Sequence, residues 1–140
     1  MANTVQCDIV SAQESIFSGE VEMLTATASN GELGVMAGHT PMLTGLAPGP
    51  VNIRMADGQE EVFFVSGGYL EVQPKKISIL ADTAERAHDM DEAAAERARQ
   101  EAERELANRS SDVDYSRAAA RLAEAAAQLR TLEKLRRKKR

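Results

Sequence analysis

The chain of 140 residues has no tryptophan, one cysteine, two histidines and four prolines. Each scarcity removes a class of explanation. A lone Cys7 forbids an internal disulfide, and its alternation with Val5 and Ile9 makes it a small core residue, not a reactive thiol. His39 and His88 are too few for a zinc centre, and no HxH, HExxH or paired-cysteine spacing accompanies them. With aromatics at 4%, the stacking surfaces that hold sugars or single-stranded nucleic acid are not expected. No apolar run approaches the ~20 residues that cross a bilayer. The first residues lack the basic and apolar regions of a secretory signal. Contact with a membrane is therefore expected only indirectly, through partners.

What is present falls into two unlike parts. Residues 1–84 carry three basic and ten acidic side chains, and residues 85–140 carry fourteen basic and twelve acidic. Six of those positive charges, Lys134, Arg136, Arg137, Lys138, Lys139 and Arg140, form the final run. An acidic front and a basic tip speak against a nucleic-acid partner and for a tail that docks on an acidic one.

The front part has the period of strands. Val5, Cys7 and Ile9 alternate with polar neighbours, as do Val21 and Met23 with Glu20 and Glu22. Asp57 and Gly58 separate two apolar stretches, which marks a hairpin. Gly67 and Gly68 turn the chain into residues 69–73, and residues 77–80 add a strand after Pro74. Many short strands with frequent turns predict a β-sandwich. Ser66, Gly67 and Gly68 are followed by no helix, so neither a phosphate loop nor a nucleophile elbow is expected. The acidic pairs Glu20/Glu22 and Glu60/Glu61 read as solvent-facing residues, and no catalytic set emerges.

The period changes near Ala84. Residues 91–107 contain no glycine or proline and are dominated by Ala, Glu and Arg. Asp89 with Glu92 resembles a capping signal, residues 108–111 allow a turn, and Asp112 or Asp114 is a candidate cap for a second helix. Tyr115, Ala118, Leu122, Ala125, Leu129 and Leu132 follow heptad spacing, facing a stripe of Ala94, Ala98, Ala102 and Leu106. The expected class is α+β: an N-terminal β-sandwich over residues 1–86, then a C-terminal antiparallel two-helix hairpin over residues 87–140. Each buried methyl contributes roughly 0.8 kcal/mol, so an alanine seam predicts a weakly held hairpin that a partner can open.

Residues 30–51 hold five glycines, three prolines and His39 among short apolar pieces, a string that prescribes tight corners. The order Gly31, Glu32, Leu33, Gly34, then Gly38, His39, Thr40, Pro41 and Gly49 closely resembles the epsilon subunit of bacterial F-type ATP synthase. Val10–Ala12 with Phe17–Gly19, Ser66–Gly68 with Leu70–Pro74, Leu80–Ala84, Asp112–Tyr115 and Ala126–Arg130 extend that resemblance over nearly the whole chain. The resemblance implies a non-catalytic rotor subunit of the central stalk. Its partners would be the gamma subunit, the ring of c subunits and the alpha/beta catalytic head. It would couple proton flow to ATP synthesis at the cytoplasmic face of the bacterial plasma membrane.

The resemblance also implies roles for residues. Glu32 and His39 would lie on the side facing the ring and gamma. The six charges from Lys134 to Arg140 would form an inhibitory tail acting on the head during ATP hydrolysis. Some family members bind ATP through Ile/Leu-Asp-any-any-Arg-Ala. The matching stretch here begins Met90, Asp91 and has Ala94 where the arginine stands, leaving Asp91, Arg97 and Arg99 as a degraded site. No resident cofactor is implied, and ATP binding is expected to be weak. Two other readings compete: an ATP-sensing module whose hairpin closes on nucleotide, and a metal-dependent β-barrel enzyme, which the missing ligand spacings disfavour.

Overall fold

A computed structural model describes residues 3–108 and 112–138. The first ten elements are strands: β1 (Val5–Ser11), β2 (Ser15–Val21), β3 (Met23–Ala28), β4 (Gly31–Met36), β5 (Met42–Leu46), β6 (Gly49–Arg54), β7 (Glu60–Val65), β8 (Gly68–Gln73), β9 (Lys76–Ala81) and β10 (Ala84–Arg86). A short 3-10 turn (Ala87–Asp89) leads to helices α1 (Glu92–Ala107) and α2 (Asp112–Lys138).

The strands run β10-β7-β6-β3-β5-β8-β9-β1-β2, with β4 also paired to β3. Strands β3 and β5 meet only at Ala28 and Leu46. The sheet folds over at that joint, so that Leu24, Ile53 and Phe63 of one layer share a core with Ile9, Leu70, Ile77 and Ile79 of the other. Alternation explains the result, since each strand sends every second residue inward. The expected alternation across Val21 and Met23 is different. Val21 ends β2 and Met23 begins β3, and Glu22 between them carries the corner, its N–H donating to the Arg54 carbonyl at 2.7 Å.

Arg86 closes one edge of the sandwich. Its guanidinium lies 5.2 Å from the centre of the Phe63 ring, pairs with Glu61 and donates to the Ile16 carbonyl at 2.9 Å. The turn after β7 is laced to the turn after β9. Ser66 N–H donates to the Thr83 carbonyl at 3.0 Å, and Thr83 N–H donates to the Ser66 hydroxyl at 2.9 Å. The Ser66–Gly68 and Leu80–Ala84 motifs are thus two halves of one corner.

Both helices are present and antiparallel, as the pairs Arg136–Glu92 and Arg121–Glu105 at opposite ends require. Three details differ from the sequence reading. Asp91, not Asp89, caps α1, its side chain accepting from the Ala94 N–H at 3.2 Å; Asp89 lies in the preceding 3-10 turn. The buried face of α1 is Ala95 and Ala102, while Ala94 and Ala98 are exposed. On α2 the heptad positions Ala118, Ala125 and Leu132 are buried as expected, but Tyr115 is exposed. Of the turn expected at 108–111, only Asn108 is among the described residues.

The larger difference lies beneath α2. This helix packs on β6 and β7 as well as on α1. Phe63 and Val65 point into the sandwich core, so Val62 and Phe64 point outward, yet each is only 2% exposed. Ala127 and Thr131, off the α1 seam, are also buried, and the Thr131 hydroxyl is satisfied by the Ala127 carbonyl at 2.8 Å. Fully burying a Val or Phe side chain contributes about 1.5–3 kcal/mol, more than any alanine in the seam. The hairpin is held chiefly by α2 on the sandwich, with α1 hanging on α2.

Candidate functional site

Strand β4 forms an edge, pairing only with β3 in the register Thr27–Glu32 and Met23–Met36. Glu32 is exposed at its start. Past its end, Gly38 takes φ +85°, which lets the chain reverse without strain. The His39 N–H donates to the Met36 carbonyl at 3.2 Å, and its Nδ1 sits 2.7 Å from the Thr40 carbonyl, pinning the ring to its own loop. Glu32 and His39 therefore sit at opposite ends of one edge strand, with about 13 Å of strand between Glu32 and the turn that carries His39. They are two separate surface points.

The basic run is folded back on acidic side chains of three elements. Lys134 Nζ lies 3.9 Å from Glu32 on β4, Arg136 pairs with Glu92 at the start of α1, and Lys138 Nζ lies 2.9 Å from Glu60 on β7. Arg137 has no partner among the described residues. Lys139 and Arg140 lie outside the described residues. The Lys138 ammonium beside Glu60 holds that carboxyl below its ordinary value, with help from Asn52. All these pairs are partly or largely exposed, so each contributes little and screens readily. Together they tie a cationic tail reversibly to the body.

Asp91, Arg97 and Arg99 do not converge. The Asp91 carboxylate is occupied in capping α1, and Arg99 is held between Glu96 and Glu103 on its own helix. Arg97 is exposed. The groove between the helices, about 280 Å³, is lined by residues such as Ala98, Glu101, Arg121, Glu124 and Gln128, and none of the three reaches it.

A further surface escaped the sequence reading. Val10, Leu80 and Tyr69 are register partners across β1, β9 and β8, on the outer side of the layer away from the helices. Leu43 of β5 lies beside them, one register row along. Leu43 is 67%, Tyr69 58% and Leu80 53% exposed. The same face turns polar further along, where Asp8 meets Lys76 at 2.9 Å and accepts from Gln6 and Ser18. These contacts, that with Lys76 foremost, hold the Asp8 carboxyl below its usual range. The available signal was phase: Ile77 and Ile79 face inward, so Leu80 must face outward.

The β-sandwich domain of the ATP synthase delta/epsilon chain matches residues 4–87, and the long α-helix domain of that chain matches residues 88–133. The chain belongs to the ATP synthase delta/epsilon family. Curated relatives include the ATP synthase epsilon chain of Teredinibacter turnerae, 60% identical over the whole of both chains. That of Chromohalobacter salexigens is 60% identical over 95% of this chain and 94% of its own. Among solved structures, a chain of the Euglena gracilis mitochondrial ATP synthase superposes with a TM-score of 0.82 at 21% identity, covering 89% of this chain and 78% of that one. A chain from the central stalk and c-ring of the Tetrahymena thermophila enzyme gives 0.64 at 17% identity, over 91% and 96% of the two chains. At such identities the structures speak for the shared fold, and the two family matches meet between Ala87 and His88, within the 3-10 turn.

Proposed function

We propose that this chain is a non-catalytic, epsilon-type subunit of the central stalk, coupling rotation of a c-ring to the catalytic head and restraining ATP hydrolysis. The full-length identity to epsilon chains of ATP synthase supports the rotor role. The single observation that carries the regulatory role is the basic end of α2, tied to Glu32, Glu60 and Glu92 by exposed, exchangeable pairs. A tail held this way can trade its carboxylates for those of an acidic partner on the alpha/beta head.

The outer apolar row of Val10, Leu80, Tyr69 and Leu43 is the surface suited to gamma, because exposed apolar patches of this kind mark docking sites. Glu32 and the His39 loop are two candidate points for the ring side. The protein then works at the cytoplasmic face of a bacterial plasma membrane, attached through the complex; no helix among the described residues is long and apolar enough to cross it. ATP binding at the hairpin motif is weak in this reading, since Asp91 and Arg99 are engaged elsewhere. The test removes residues 110–140 and reconstitutes the complex. Assembly and ATP synthesis are expected to persist while hydrolysis by the head rises. An unchanged rate of hydrolysis rejects the inhibitory role, and failure to assemble rejects the division of labour between the two domains.

A further inference from the structure

The turn between β3 and β4 consists of Ser29 and Asn30, because Ala28 and Gly31 are register partners. Asn30 is the one asparagine of four that glycine follows; Thr4, Ile53 and Arg109 follow the others. Its side-chain amide is exposed and makes no hydrogen bond among the described residues. No atom lies within 4 Å of the place a Cβ on Gly31 would occupy, so nothing crowds the approach of the Gly31 backbone nitrogen to the Asn30 side chain. That nitrogen belongs to the terminal pair of an edge strand, the part of a ladder that opens most readily. Asn52, by contrast, lies within β6 with its amide donating to Glu60 at 3.4 Å. Gly31 also borders a cavity of about 630 Å³ whose wall on α2 carries Arg130, Lys134, Arg137 and Lys138. Two carboxylates, Glu32 and Glu133, share that lining, so the cations outnumber them.

We propose that the Asn30–Gly31 turn is a site of spontaneous covalent modification, deamidating to aspartate and isoaspartate in the field of the α2 cations. The Gly31 amide gives its proton to hydroxide, and its nitrogen attacks the side-chain carbonyl carbon of Asn30. The new C–N bond closes a succinimide ring while the bond to the side-chain nitrogen breaks, and ammonia departs with a proton taken from water. Water then opens either ring carbonyl, leaving aspartate or, with one more carbon in the backbone, isoaspartate. Negative charge develops on the attacking nitrogen and on the oxygen of the intermediate, and nearby cations stabilise both. The Asp57–Gly58 turn has the same spacing, but its carboxylate is held by the Gln59 N–H at 2.9 Å and offers no leaving group comparable to ammonia. Either product at Asn30 places a new carboxylate two residues before Glu32, and isoaspartate also lengthens the turn that sets the register of β4. Docking of that edge on a ring should suffer. This consequence rests on the ring-side reading of Glu32; the chemistry does not.

The test incubates the folded full-length chain in mildly alkaline, low-salt buffer and follows its peptides by mass spectrometry, with a methyltransferase assay for isoaspartate. Asn30 should gain the mass of an amide-to-acid exchange about tenfold faster than Asn3, a barrier difference of about 1.4 kcal/mol. Combining Lys134→Gln with Arg137→Gln should slow the reaction about twofold, as expected of unit charges acting through solvent. Raised salt should slow the wild type in the same sense, because it screens exposed charges. In urea the double variant and the wild type should react at one rate. Asn30→Gln should show no comparable conversion, since its longer side chain needs a larger ring, and circular dichroism melting checks that each variant is folded. Aged wild type should then rebind less well than aged Asn30→Gln to membranes stripped of the subunit. An Asn30 no faster than Asn3 overturns the inference, and so does a native rate indifferent to both salt and the double variant. Conversion with undiminished rebinding supports the site and rejects the ring-side reading of this turn.

Discussion

Gly68 shows how a single residue can be constrained by backbone alone. Its φ is +131°, and a Cβ placed there would stand 2.1 Å from the Leu80 carbonyl oxygen. Gly68→Ala combines a strained conformation with a clash against immobile backbone, and should cost about 3 kcal/mol or more; the midpoint of urea unfolding measures it. Cys7 is constrained differently. Burial, with a smaller push from Asp8, raises its thiol from 9.0 to about 12. A thiol reagent at pH 8 should therefore leave the native protein untouched and label it only on unfolding. The unfolded thiol ionises first as the pH rises, so this residue should lower stability progressively between pH 9.0 and about 12. Both features were partly legible. The doublet Gly67–Gly68 signals a turn and the alternation around Cys7 signals burial, but the Leu80 carbonyl that fixes the glycine is remote in sequence.

Among the elements, α2 departs most from what its sequence suggests. The run Val62, Phe63, Phe64 and Val65 announces a strand buried on both faces, yet nothing local says that a helix some sixty residues later covers it. The capping assignment missed for a related reason. Asp89 with Glu92 satisfies a capping box, but the 3-10 turn at Ala87–Asp89 delays the helix and hands the role to Asp91. Packing orders the expected local stabilities. Amide exchange should be slowest in the sandwich core, faster in α2 and fastest in α1, whose main support is α2. Equal rates in the two helices would show that α2 gains nothing from β6 and β7. The tail adds a pH dependence. Glu60 is depressed below its ordinary 4.5 by Lys138, so its stabilisation is complete above that value and disappears as the pH falls through the lowered one. A fluorophore pair across β7 and the end of α2 should report loosening on acidification, and Glu60→Gln should diminish that response.

For the molecule as a whole, two kinds of attachment act on the hairpin and respond to different conditions. The ion pairs of Lys134, Arg136 and Lys138 weaken with salt, since exposed charges are screened over roughly 10 Å at 0.1 M. The burial of Val62 and Phe64 beneath α2 does not. Raising salt should free the tip of α2 while its middle stays seated, which spin-label distances from the sandwich to both points would resolve. Phe64→Ser should loosen the middle with the tip pairs intact, and the two changes together should open the hairpin most.

The parallel pairing of β1 with β9 has a consequence for how the chain is made. Cys7 lies beside Ile77, some seventy positions later, and β1 sits between β9 and β2 within its layer. A strand made some seventy residues before its partner is therefore completed late. Until residues 76–81 emerge, β1 has only its hairpin with β2, and a lone hairpin is marginal in water. Closing so long a loop is slow, so the nascent chain carries Val5, Cys7 and Ile9 uncovered through most of the synthesis of the sandwich. The helices, made last, meet a finished sheet.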